Sequence, residues 1–113
     1  MDLMPTLFVS HGAPTFALEP GQLGPRLTAL GRAMRRPEAV LVVSPHWMTH
    51  DVRVATTAAP GNIHDFGGFD EALYELSYPV PGAPRFAAET IETLAQAGWR
   101  VGADERRGLD HGA

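Results

Sequence analysis

Cysteine and lysine are both absent from the 113 residues. Without cysteine there is no disulfide, zinc–thiolate site, thiol nucleophile or iron–sulfur cluster. Without lysine, Schiff-base chemistry and lysine general bases are excluded. Positive charge is also scarce: nine basic residues, all arginine and scattered, stand against 13 acidic ones, for a net charge of −4. The only adjacent pairs are Arg35–Arg36 and Arg106–Arg107. This balance argues against nucleic acid or an anionic membrane surface as the main partner. No apolar run approaches the ~20 residues needed to span a bilayer. Met1–Leu7 has neither the cationic start nor the long apolar stretch of a signal peptide, so the expected location is the cytoplasm. The G-x-S-x-G elbow, the P-loop and the G-x-G-x-x-G turn are missing too, so the serine-hydrolase and phosphate-cradling readings lose their signatures.

What is present reads as an α/β chain of one small domain at most. Thr6–Ser10 and Ala39–Ser44 are short aliphatic runs ending at His11-Gly12-Ala13-Pro14 and at Pro45-His46-Trp47. Both are expected to be strands, and Ala39–Ser44, continuous rather than alternating, one that is covered on both faces. Between them Leu23, Leu27, Leu30 and Met34 recur at helical spacing, with Arg26, Arg32, Arg35 and Arg36 on the other side. The spacing predicts an amphipathic helix from Gln22 to Met34, ended before Pro37. Val52 and Val54, alternating with Arg53 and Ala55, predict a strand near a sheet edge. Pro84 opens a second helix with Ala87, Ile91, Leu94 and Ala95 on one face and Gly98 as its stop. Trp99–Gly102 is expected to form a last strand.

Ala59–Gly82 differs in kind, mixing prolines and glycines with Phe66, Phe69, Tyr74 and Tyr78. A long aromatic loop of this composition is more often a lid or pocket wall than a connector. A short helical turn is expected around Asp70–Leu76. Tyr74 and Tyr78, four residues apart, read as a packing pair.

Histidine carries the chemistry that remains. His11 and His46 follow the two expected strands, and ligand sites in open α/β sheets form at the carboxyl ends of strands. If the two strands lie parallel and adjacent, both imidazoles emerge at one edge, which is the beginning of a site for iron(II), zinc or manganese. Gly12 permits a sharp turn, and Pro14 and Pro45 stiffen the loops. A hydrogen-bonded structural role is the competing reading for each histidine taken alone. His50 reads as a solvated loop residue. His64-Asp65 reads as a plain turn unless the loop folds over the site, because adjacent side chains seldom face each other, and Asp110-His111 carries the same ambiguity. Ser10 and His11 point to opposite faces of a strand, which is poor geometry for a nucleophile and its base.

The segments Leu7-Phe-Val-Ser-His-Gly-Ala-Pro14, Val43-Ser-Pro-His-Trp47, Ile63-His-Asp-Phe-Gly-Gly-Phe69, Leu73-Tyr-Glu-Leu-Ser-Tyr-Pro-Val-Pro-Gly82 and Gly108-Leu-Asp-His-Gly-Ala113, in this order and spacing, closely resemble the DODA-type extradiol ring-cleaving dioxygenases. These are the class III enzymes similar to the protocatechuate 4,5-dioxygenase β-subunit. The resemblance covers essentially the whole chain. It implies an α/β fold with a mostly parallel sheet layered with helices, of which residues 1–113 are the N-terminal portion of a larger single-domain fold. It implies a mononuclear Fe(II) or Zn(II) site and catechol substrates related to 3,4-dihydroxyphenylalanine, opened with O2. His11 and His46 resemble two metal ligands, His111 the catalytic pocket histidine, and His64 with Phe66 the substrate-binding wall. Family members are more than twice this long, and their remaining metal ligands come from beyond the matching stretch. The expected partners beside catechol and O2 are therefore a complementing C-terminal half or a second copy of the chain. A non-catalytic metal-binding or oligomerisation domain is the alternative, with metal-assisted hydrolysis third.

Overall fold

Proline and glycine punctuate the chain where its helices start and stop. The computed structural model describes residues 3–113, which divide into two compact units. The first comprises the chain up to Leu41 together with Phe66–Leu76, and the second comprises Val42–Asp65 and Ser77–Ala113.

In the first unit Gly12, at φ 62°, turns the chain into a 3-10 helix over Pro14–Ala17, with proline in its first turn. Helix α1 spans Leu23–Ala33, matching the expected periodicity to within a residue at each end. Pro25 is tolerated because backbone N–H groups in the first turn have no helical acceptor. Arg32 in the last turn opposes the negative end of the helix dipole. Helix α2, Glu71–Glu75, is capped by Asp70, whose Oδ1 accepts from the Ala72 N–H at 2.9 Å. It buries Leu73 to 2% exposure and packs against the 3-10 helix. Phe66 meets Phe69 edge-on at 5.7 Å and Tyr74 at 4.9 Å, and the Tyr74 hydroxyl donates to the Phe66 carbonyl. A shallow groove lined by Phe16, Pro20, Leu27 and Arg32 contains no histidine or carboxylate.

The second unit is built on a parallel strand pair. Strand β1, Val52–Ala55, pairs with β2, Val101–Asp104, from Val52 opposite Val101 to Ala55 opposite Asp104. Parallel neighbours need a crossover. Helix α3, Pro84–Gln96, lies within it and packs on both strands. Val54 is buried between exposed Arg53 and half-buried Ala55, as the alternation predicts. Phe86, Ala87, Thr90, Ile91 and Leu94 are half-buried along α3. Its end is a Schellman motif: Gly98, at φ 93°, donates to the Ala95 carbonyl, and the Trp99 N–H reaches back to Leu94 at 3.0 Å. Asp104 Oδ1 then accepts from the backbone N–H groups of Arg106 and Arg107 and turns the chain after β2.

Four expectations need correction. Thr6–Ser10 and Ala39–Ser44 are not strands: among the described residues no backbone hydrogen bond pairs either with another segment, and the one at Ser44 is the local turn bond from the Trp47 N–H. Phe8 is fully exposed and Val43 is 90% exposed. An apolar β-branched run records a preference for burial, whereas a strand exists only where a second segment completes the ladder. The last strand starts at Val101 rather than Trp99, because the helix cap consumes Gly98 and Trp99. Ala95 is exposed and Thr90 takes part in the inner face instead. Tyr74 and Tyr78 do not share a helix, since α2 stops at Glu75; Tyr78 is held through its backbone by Asn62, whose Oδ1 accepts from the Tyr78 N–H at 2.6 Å.

Beyond the strands the two chains continue side by side. Asn62 and Leu109 form a parallel bridge, with the Ile63 N–H donating to Leu109 O at 2.6 Å and the Leu109 N–H to Gly61 O at 2.7 Å. The approach is close enough to require glycine: a Cβ on Gly108 would lie 2.2 Å from the Gly61 carbonyl oxygen, whereas one on Gly61 would meet nothing within 4 Å. Gly108→Ala is therefore expected to destabilise the fold by ~1–3 kcal/mol, as overpacking against backbone does, and Gly61→Ala to change it by under ~0.5 kcal/mol. Urea unfolding midpoints of the two variants test this, and equal midpoints would contradict it. The backbone donors of Arg106 and Arg107 hold the Asp104 carboxyl below the usual carboxylate range. Its contribution to stability is present above the unfolded-state value and lost as the pH falls through the lowered folded-state value. Asp104→Asn should therefore lose less stability than the parent between about pH 5 and pH 2, a difference that unfolding midpoints across that range will show or refute.

Candidate metal and active site

The paired segments Gly61–Asp65 and Gly108–His111 leave the carboxyl ends of β1 and β2 in parallel. That register brings Asp65 beside His111. Asp65 Oδ1 accepts from the backbone N–H of His111 at 2.9 Å and lies 2.8 Å from its ring Nδ1. Its other oxygen, Oδ2, is 3.3 Å from Nδ1 of His46. One carboxylate thus serves two imidazoles, whose ring centroids are 3.9 Å apart with planes tilted by 59°. His46 and His111 each offer a ring nitrogen to a common ion, within 4.8 Å of each other.

The protonation of this group follows from its contacts. Partial burial pushes the Asp65 carboxyl up, but the backbone N–H of His111 and then its ring outweigh that and hold the pKa at about 2. An ionised carboxylate only accepts hydrogen bonds. The His111 Nδ1 facing it at 2.8 Å is therefore the protonated nitrogen of the neutral ring, and Nε2 the unprotonated one. A neutral imidazole in this tautomer, with Nδ1–H on a carboxylate, is the usual form of a metal-bound histidine. The donor set fits a divalent ion of borderline softness such as iron(II) or zinc.

A second carboxylate ties the loops together. Asp110, buried to 6% exposure, accepts from Ser44 Oγ at 2.6 Å and from the backbone N–H groups of Gly112 and Ala113 on one oxygen, and from Arg107 Nη2 at 2.7 Å on the other. Ser44 Oγ in turn accepts from the His46 N–H at 3.2 Å. The Arg107 guanidinium lies 5.3 Å from the Trp47 ring centre. Burial raises the Asp110 pKa, and the Ser44 and Arg107 hydrogen bonds more than reverse it, so the group is lowered overall. Gly112 is fixed by the same crowding: a Cβ there would sit 2.6 Å from Ser44 Oγ and 2.7 Å from His46 Cδ2.

His46 sits in the Ser44–Trp47 turn, not at the end of a strand. The carboxyl-end rule holds for His111 and Asp65, but on β1 and β2 rather than on the two segments expected. His11 belongs to the first unit, half-buried beside the left-handed Gly12. His64 is exposed in the second unit, one residue before Asp65, and Phe66 belongs to the aromatic cluster of the first. His50 is exposed as expected. His64-Asp65 is not a turn: it continues the paired segment. Asp65, Ser44, Arg107 and the hub role of Asp110 escape a reading of sequence neighbours. The available signal is the pair of acid–histidine dipeptides, His64-Asp65 and Asp110-His111, of which Asp65 and His111 pair across segments rather than along the chain.

A histidine pair beside a carboxylate at the end of a parallel strand pair is an arrangement in an α/β chain that could hold a metal ion. Residues 6–113 match the family described as the catalytic LigB subunit of aromatic ring-opening dioxygenase, and the chain belongs to that family. It is 42% identical over 110 residues to the 4,5-DOPA dioxygenase extradiol of Escherichia coli K12, covering 97% of this chain and 40% of that protein. It is 37% identical over 112 residues to the 4,5-DOPA dioxygenase extradiol of Beta vulgaris, covering 96% and 42%. The dioxygenase tasH of Hapsidospora irregularis is 34% identical, with 99% and 38% covered. The chain thus spans about two fifths of the length of these curated relatives. Among the described residues no helix is long and apolar enough to cross a membrane.

Replacing Asp110 by alanine removes the acceptor of a buried network and leaves Ser44 Oγ and two backbone N–H groups without it. A loss of ~1–3 kcal/mol is expected, read from urea unfolding. A change below ~0.5 kcal/mol would show that the hub is not what holds the two loops together.

Proposed function

We propose that this chain forms the N-terminal part of the active site of an extradiol dioxygenase, which opens catechols related to 3,4-dihydroxyphenylalanine at a mononuclear Fe(II) or Zn(II). The observation that carries the reading is the His46–Asp65–His111 group in a chain of this family. In the overall reaction the ring carbon–carbon bond beside the two hydroxyls breaks and both atoms of O2 enter the product.

His11 and His46 are the residues proposed to hold the ion, with further ligation from outside these 113 residues. When bound, the ion supplies a path for electron density from the diphenol to dioxygen. His111 is the proposed general base: with Nδ1–H on Asp65, its Nε2 is the nitrogen that would take the second phenolic proton. Asp65 stabilises the imidazolium that results. His64 and Phe66 are proposed to contact the substrate, with Phe66 and its aromatic neighbours excluding water. A complementing C-terminal half or a second copy of the chain is the proposed partner. A reducing compartment such as the cytoplasm keeps Fe(II) reduced and suits this chemistry.

The test is oxygen uptake and yellow semialdehyde formation by the Fe(II)-loaded chain, alone and combined with the C-terminal half of one of its relatives. The complemented protein is expected to consume one O2 per diphenol, the chain alone to give little colour, and His111→Ala to lower the complemented rate by ~10²–10⁴-fold. No colour from the complemented protein across several catechols would overturn the reading. Metal-dependent stability without oxygen uptake would favour a non-catalytic metal-binding or oligomerisation domain instead.

A further inference from the structure

His46 lies in a turn rather than in a helix or strand, with the Trp47 N–H reaching the Ser44 carbonyl at 3.4 Å. Its side chain is 30% exposed. Turns with long hydrogen bonds and exposed side chains open more readily than the core of a fold. A ligand placed on one needs an anchor, and Ser44 supplies it. The Ser44 hydroxyl accepts the His46 backbone N–H at 3.2 Å and donates its own proton to Asp110 Oδ1 at 2.6 Å, across 66 residues of chain. A hydroxyl carries one proton and two lone pairs, so it can do both at once. The far end of this relay is firmly held. Asp110 is buried, its Oδ1 also accepts the N–H groups of Gly112 and Ala113 at 3.0 and 3.1 Å, and its Oδ2 accepts from Arg107 Nη2 at 2.7 Å. Asp110 is also the covalent neighbour of His111. Two hydrogen bonds and one peptide link therefore connect the main chain of His46 to that of His111. Gly112 closes the other side: a Cβ there would sit 2.6 Å from Ser44 Oγ and 2.7 Å from His46 Cδ2, so hydroxyl and ring both pack directly on the main chain after His111.

We propose that Ser44, oriented by Asp110, is the positioning residue for His46: its hydroxyl holds the His46 main chain against the segment that carries His111, at the separation where both rings offer an atom to one ion. Those atoms lie within 4.8 Å of each other. The proposal deepens the metal-site reading above and rests on it for its purpose, though not for its geometry. It assigns Ser44 a directional role that a packing residue would not have. Alanine at this position removes one oxygen and leaves Asp110 its Arg107 and backbone donors, so the hub stays assembled while His46 loses its anchor. Threonine keeps the hydroxyl and restores it.

The experiment is amide hydrogen exchange and NMR of the 15N-labelled chain without metal, followed by Zn(II) competition against a chromophoric chelator, for the parent, Ser44→Ala and Ser44→Thr. In the parent the His46 amide is expected to exchange at least ~10-fold more slowly than an unstructured reference. In Ser44→Ala that protection should disappear and the proton–proton contact between the His46 ring and Gly112 should weaken, with the β1 and β2 amides unchanged. Zn(II) affinity should fall by ~10–100-fold, the cost typical of losing a group that orients a metal-bound histidine. Ser44→Thr should match the parent in all three. Protection at His46 that survives in Ser44→Ala, Zn(II) affinity there within about twofold of the parent, or a threonine variant no better than alanine would overturn the proposal. If Ser44→Ala does not fold, the parent decides: an unprotected His46 amide refutes the anchor. A parent that binds no Zn(II) loses the metal-site reading, while exchange at His46 and its ring contact with Gly112 still decide this one.

Discussion

Two backbone hydrogen bonds, Ile63 N–H to Leu109 O and Leu109 N–H to Gly61 O, set the geometry on which the site depends. They extend the parallel course of β1 and β2 beyond the regular strands and fix the register of Gly61–Asp65 against Gly108–His111. Because side chains along an extended segment alternate in direction, a slip of one residue would turn Asp65 away from His111. Gly108 allows the approach, since any Cβ there would collide with the Gly61 carbonyl. Asn62 adds a further tie by holding the Tyr78 backbone. The chemistry of the histidines is thus a consequence of main-chain pairing several residues away.

The parts of the fold legible in the sequence are those decided locally. Helices α1 and α3 follow from apolar periodicity, and Pro84 and Gly98 mark the limits of α3 because each acts through its own backbone. Strand β1 is legible from its alternation. The runs Thr6–Ser10 and Ala39–Ser44 have stronger strand composition than β1 yet form no ladder among the described residues, because pairing depends on a second segment that composition does not reveal. The histidines at loop positions are legible as candidate ligands, and the five ordered motifs carry the family. Asp65 is visible in the sequence but its partners are not: its covalent neighbour His64 is the obvious candidate, whereas the histidines it meets are 19 and 46 residues away.

The two carboxylates of the second unit do different work because their partners differ. Asp110 meets the Arg107 guanidinium, a serine hydroxyl and two backbone N–H groups, and is nearly sealed from solvent. Its charge is neutralised locally, and what it supplies is geometry, joining the Ser44–His46 turn to the chain after His111. Asp65 meets a backbone N–H and two histidine rings rather than an arginine. Its negative charge is therefore stabilised without being cancelled, and it also raises the cost of ionising Asp110.

That residual charge has a direction. It reaches past the two imidazoles toward their Nε2 side, where a cation would bind and where a proton would arrive. A cation placed there would be attracted by a full carboxylate charge behind the two rings. Replacing Asp65 by a neutral residue would remove that attraction. Replacing Asp110 would release the loops but leave this electrostatic bias in place. The separation between a neutralised carboxylate that builds the site and an unneutralised one that tunes it is written in a single difference of partners, Arg107 against two histidines.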